Sequence, residues 1–168
     1  MTEYVGEPKI YQRDLVHYMG IRIQTPFGGM FAEVDKLRKE LAQWFKANEI
    51  ESHGHSLLRY YVIDMEGIMD IEYGTMVDVP LAGDNRVQPA SLPTGHYASL
   101  IYSRYALRGN KALLGFIQDN NLLVDRWDDE KGDAFRCRFE MYLTDPKVEH
   151  RKSKWDIEVA IKLVDEHQ

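Results

Sequence analysis

The chain has one cysteine, Cys137, in 168 residues. A lone thiol excludes an intrachain disulfide and any zinc cluster built on thiolates. No apolar run is long enough to span a membrane, and the opening MTEYVGEPK lacks the basic-then-apolar pattern of a secretory leader. Basic side chains are outnumbered, 21 against 27 acidic ones, for a formal charge of −6. A nucleic-acid surface needs a cationic footprint, so direct binding to DNA or RNA is not expected. Signatures of familiar chemistry are missing too. Gly28-Gly29 is not followed by the Lys-Ser/Thr of a phosphate loop, and Ser91, Ser99 and Ser103 stand in no GxSxG context. His53-Gly54-His55 has no third ligand at useful spacing and reads as a polar loop, so neither metal nor cofactor is expected. The expected location is the cytoplasm, with no membrane partner.

What is present is ordinary in total and specific in arrangement. Hydrophobic residues make up 44% and charged ones 29%, enough for one domain over residues 1–168 with a sizeable core. Met30, Val34, Leu37, Leu41, Trp44 and Phe45 recur at spacings of three and four, predicting a helix that Gly28-Gly29 precedes and Asn48 ends. A second helix is predicted from about Asn110 to Asn121, although it contains Gly115. Alternation predicts strands near residues 8–23, 58–65, 69–79, 87–102, 135–143 and 155–164, the first and fourth with bends.

The order is strand–helix–strand–strand, twice. Met69-Asp70-Ile71-Glu72 recurs as Trp155-Asp156-Ile157-Glu158, and Tyr18-Met-Gly-Ile-Arg-Ile23 is echoed by Tyr97-Ala-Ser-Leu-Ile-Tyr102. The turn-rich Pro80–Asn85 stretch separates a first repeat of about 1–82 from a second of about 83–168. The expected class is α+β, with helices backing antiparallel sheets and a groove where the two units meet.

Within the second unit, RFEMYLTDP (residues 138–146) puts an acid among aromatics. Strand alternation gives Glu140 the same face as Tyr142 and Arg138, while Cys137, Phe139 and Met141 take the other, where Cys137 is a small buried hydrophobe. A carboxylate is costly to desolvate without a partner. If the last two strands form a hairpin centred near Glu149, Glu140 falls close to opposite Glu158. Two like charges so placed destabilise a sheet, unless one acid is protonated, an arginine intervenes or the site receives a cation. Arg136 and Arg138 supply a salt-bridge reading, and a ligand supplies the other. Asp156 and Lys162 share the face of Glu158, which suggests solvent there as readily as a ligand role.

These residues resemble the GyrI-like small-molecule-binding family, which also forms the effector-binding half of multidrug-responsive AraC-type and MerR-type regulators. The resemblance spans most of the chain through YMGIRI, FAEVDKLRKELAQWF, RYYVID, SLPTGHYASLIYS, RFEMYLTDP and WDIEVAIKL. The Pro93-Thr-Gly-His-Tyr97 turn and the Glu140-x-Tyr142 pair are its most specific pieces. It implies two fused strand–helix–strand–strand repeats of SHS2 type, related by a pseudo-twofold, around a central hydrophobic groove. In the regulators a buried glutamate in that groove receives cationic aromatic drugs. Its position matches Glu140, and a second acid in the last strand matches Glu158. Some stand-alone members hydrolyse cyclopropane-bearing alkylating compounds, and others bind DNA gyrase. With no helix-turn-helix segment ahead of its first strand, this chain resembles a stand-alone member.

The charged segment 125–137, DRWDDEKGDAFRC, departs from the family pattern and is expected to shape or lid the groove, or to form a surface loop. The expected ligand contacts are Glu140, Tyr142, Tyr61, Tyr97, Tyr102, Trp155 and Glu158. The expected ligand is a lipophilic, cationic or aromatic small molecule. As an enzyme in the same groove, Glu140 would activate a water and Tyr142 would polarise the electrophile. A third reading is a protein-binding module with a partner such as gyrase or a regulator.

Overall fold

The computed structural model describes residues 4–51 and 54–165, so His53 of the His-Gly-His stretch lies outside the described residues. Among the described residues, eleven strands form one antiparallel sheet. In chain order they are β1 (Tyr4–Val5), β2 (Lys9–Arg13), β3 (Val16–Pro26), β4 (Ser56–Ile63), β5 (Ile68–Met76), β6 (Gln88–Leu92), β7 (Gly95–Ser103), β8 (Arg126–Asp129), β9 (Gly132–Phe135), β10 (Arg138–Tyr142) and β11 (Asp156–Lys162). Two helices, α1 (Met30–Ala47) and α2 (Ala106–Asp119), complete an α+β fold. No helix among the described residues is long and apolar enough to cross a membrane.

Helix α1 follows its pattern: Met30, Val34, Leu37, Leu41 and Phe45 are buried, behind a left-handed Gly29 with φ 85°. Helix α2 starts four residues earlier than the periodicity predicts, because Gly109 lies inside it rather than before it. A Cβ on Gly109 would stand 2.8 Å from the ring of Tyr102, so the missing side chain is what lets α2 approach the sheet. Both helices pack on one face, sharing a core with Leu58, Tyr60, Tyr102, Tyr142 and Val159. The opposite face carries a second, smaller cluster that includes Leu57, Tyr97, Cys137, Phe139 and Met141.

The strand path runs β1-β7-β11-β10-β4-β5-β3-β6, with β2 also on β7. Starting this path at β2, exchanging β2 with β6, β3 with β7, β4 with β10 and β5 with β11 reverses it. Residue registers follow the same exchange. Glu72 pairs with Arg59 and Arg22 where Glu158 pairs with Met141 and Ile101, and Tyr18 pairs with Ala90 where Tyr97 pairs with Tyr11. The Met69–Glu72 and Trp155–Glu158 tetrads hold equivalent places in this scheme. Glu140 and Leu58, which face each other across β10 and β4, are each other's counterparts.

Two expectations change. Glu140 faces Val159, and Glu158 faces Met141, so the hairpin register is one residue away from that of a loop centred on Glu149. The connection contains a turn from Asp145 to Glu149 and a short 3-10 turn at Lys152–Lys154, and together they displace the centre. A slip of one residue moves a side chain to the other face. The 125–137 segment is also more ordered than a loop: β8 and β9 form a hairpin, and β9 extends the sheet beside Val62 and Ile63 of β4.

Candidate functional site

Glu140 sits in the middle of β10, on the face that the helices cover. Leu58 and Val159 flank it on the neighbouring strands, and Tyr142 follows two residues along its own. Tyr60 of β4 reaches it directly, its hydroxyl donating to Oε1 at 2.7 Å. Tyr102 of β7 lies on the same face, opposite Ile157, and is 2% exposed. Trp155 closes one side: its ring centre is 5.8 Å from that of Tyr142, and its indole N–H donates to the Glu149 carbonyl at 2.7 Å. The carboxyl thus stands in an aromatic setting and is itself partly buried.

The electrostatics follow from that setting. Burial pushes the Glu140 carboxyl above its ordinary value, against the Tyr60 hydrogen bond and the positive charges of Lys152 and Arg138, which pull it down. Tyr60 and Tyr142 are pushed well up, first by burial and then by the Glu140 charge, and Tyr102 rises for the same two reasons. The salt-bridge reading finds no support. Arg136 pairs with Asp125 at 3.7 Å and Arg138 lies over the Phe135 ring at 4.9 Å. Among the described residues no arginine or lysine is ion-paired to Glu140, whose hydrogen-bond donor is Tyr60.

Three of the expected contacts lie elsewhere. Glu158 is on the opposite face, where Arg13 holds it at 2.7 Å, Ser99 donates to it at 2.7 Å and the Tyr11 hydroxyl also reaches it. Tyr61 is on that face as well. Its hydroxyl donates to Glu72 at 2.7 Å, and its ring lies between Arg22 and Arg59, at 3.7 and 4.5 Å. Tyr97 donates to the Pro93 carbonyl at 2.7 Å and packs against Phe139. Each is engaged by partners on that face, although the buried Nε atoms of Arg13 and Arg59 have no hydrogen-bond partner among the described residues. The Glu140 group therefore comprises Glu140, Tyr142, Tyr102 and Trp155, joined by Tyr60, the neighbour of Tyr61 on the other face of β4. Surface hollows of about 780 Å³ beside Ile10, His96 and Leu123, and of about 390 Å³ beside Arg22 and Asp70, are not lined by Glu140.

An open antiparallel sheet with two helices on one face matches the fold expected of a GyrI-like domain, and solved structures share it. The C-terminal domain of EcmrR aligns over 96% of this chain and 99% of its own, with a TM-score of 0.68 at 14% identity. A hydrolase from Listeria innocua aligns over 94% of this chain and 92% of its own, with a TM-score of 0.61 at 11% identity. SAV2435, solved bound to tetraphenylphosphonium, aligns over 94% of both chains, with a TM-score of 0.56 at 12% identity. At these identities the likeness is one of fold. No family model and no curated protein matches the chain.

Proposed function

We propose that this chain binds lipophilic, cationic or aromatic small molecules against Glu140, with Tyr60, Tyr102, Tyr142 and Trp155 as the surrounding walls. The observation that carries the reading is the Glu140 carboxyl itself, set among aromatic rings with a tyrosine hydroxyl as its donor and no ion pair among the described residues. A structural acid in a sheet is normally matched by a cation, as Glu158 is by Arg13. A carboxylate left unmatched on an aromatic floor suits a delocalised organic cation, which aromatic faces and the acid attract together. The fold-mate that holds tetraphenylphosphonium supports that ligand class.

A hydrolytic reading draws on one specific contact. Glu140 and the Tyr60 hydroxyl, 2.7 Å apart, are a carboxylate base beside a phenolic donor, and a fold-mate is a hydrolase. In that reading Glu140 takes a proton from water, the water opens a strained ring such as a cyclopropane, and a tyrosine hydroxyl stabilises the leaving charge. Tyr60 is better placed for this than Tyr142.

Calorimetric titration with tetraphenylphosphonium and with neutral triphenylphosphine oxide tests the binding reading. Glu140→Gln keeps the volume and removes the charge, so it should weaken the cation by about 1.5–3 kcal/mol and the neutral probe far less. Equal losses would make the acid structural. Incubation with cyclopropane-bearing electrophiles tests the second reading. Turnover that falls about 100- to 10,000-fold in Glu140→Gln is the signature of a general base, and wild type at the uncatalysed rate removes the enzyme reading for those substrates.

A further inference from the structure

The connection between β10 and β11 brings a cation to the Glu140 group. Lys152 opens the 3-10 turn at Lys152–Lys154, and its ammonium stands 5.8 Å from the ring centre of Tyr142 and 5.4 Å from that of Phe31. Phe31 belongs to the first turn of α1 and is 56% exposed, so the two rings form a partly open aromatic pair at the edge of the site. The backbone carrying Lys152 is fixed. Trp155 N–H donates to the Lys152 carbonyl at 3.1 Å, the Trp155 indole to Glu149, and Asp156 N–H to the Thr144 hydroxyl at 2.9 Å. Its side chain, by contrast, is exposed and rides on four methylenes. Arg138, the other basic group near Glu140, is occupied by Phe135 and disfavoured by burial.

We propose that Lys152 is a specificity-determining residue, a tethered cation that occupies the aromatic position a ligand's own cation would take. The inference rests on the binding reading above and deepens it. While the ammonium lies over Tyr142 and Phe31, an incoming organic cation meets a like charge a few ångströms away. It gains the carboxylate only after Lys152 has swung into solvent. A neutral aromatic ligand pays no such cost and can stack with the lysine in place. The wild-type site therefore favours uncharged or weakly basic aromatic molecules more than a bare acid on an aromatic floor would. The Glu140 charge is expressed in binding only for ligands that displace the lysine.

The test is titration of wild type, Lys152→Met and Lys152→Arg with tetraphenylphosphonium and triphenylphosphine oxide. Methionine keeps the apolar stem and removes the charge, and thermal melting checks that each variant is folded. Lys152→Met should bind the phosphonium about tenfold more tightly, the scale expected when one like charge about 6 Å away is removed from a partly exposed site. The neutral probe should change by less than about twofold, and Lys152→Arg should stay near wild type for both. If Lys152→Met gains nothing for the cation while Glu140→Gln still weakens it, the proposal fails and the binding reading stands. Equal gains for both probes would make Lys152 a steric obstacle and also overturn it. If neither probe binds wild type or Lys152→Met, both readings fall together.

Discussion

At the scale of single residues, Glu140 carries a cost that can be measured without a ligand. Its carboxyl titrates above the ordinary 4.5 because burial outweighs Tyr60, Lys152 and Arg138, with Tyr102 and Tyr142 as the other titratable groups near it. Between 4.5 and the raised folded value, the folded chain holds a proton that the unfolded chain has released. Stability is therefore complete below that window and falls as pH rises through it, at no more than about 1.4 kcal/mol per pH unit. Glu140→Gln removes the titration and leaves Tyr60 an acceptor. Its melting temperature should exceed that of wild type at pH 8, and the difference should shrink toward pH 4. A difference that stays constant over this range would assign it to packing. The acid and Tyr142 were legible because alternation alone orders side chains within one strand. Tyr60 was not, because Tyr60-Tyr61 offers one tyrosine to each face, and a register shift between Tyr60 and Val62 breaks the parity that would choose. Lys152 left no trace in the pattern, since its place depends on how a connecting turn folds back.

Among elements, the long amphipathic helix and the strand positions were readable, and the errors came from glycine and from loops. Gly109 looks like a helix boundary and is instead a buried contact point under α2, whereas Gly115, also in α2, meets nothing within 4 Å. The two make a paired prediction. Gly115→Ala should stabilise the protein by up to about 1 kcal/mol through helix propensity. Gly109→Ala gains the same propensity but drives a methyl into Tyr102, and should cost about 1–3 kcal/mol net. Chemical denaturation of both variants checks this, and a stabilised Gly109→Ala would mean that α2 shifts freely on the sheet. The Glu140–Glu158 pairing failed for a related reason. Hairpin register is set by loop geometry, and a connection with two turns cannot be counted by its midpoint. Arg13, which answers Glu158, comes from β2, far away in sequence, where no local pattern announces it.

For the whole molecule, the strand order means that the halves are interlocked rather than merely adjacent. β2 lies on β7 of the second half, and β6 lies on β3 of the first. A chain ended at residue 82 would keep β3, α1, β4 and β5 but lose β6 from one side of β3, β10 from beside β4 and the partner of β2. Expressed alone, it should be unfolded by circular dichroism or recovered as a homodimer by light scattering. A stable folded monomer would show that the halves do not need each other. The homodimer case exposes what the Leu58–Glu140 pair implies. In a dimer of identical chains, the position on the axis faces its own copy. Leucine there makes a harmless apolar contact, but glutamate would meet a second glutamate across the sheet, which is destabilising. An acid at the centre is therefore compatible only with two halves free to differ. Covalent fusion is what lets the centre of the sheet hold a single acidic side chain where a symmetric pair would hold two.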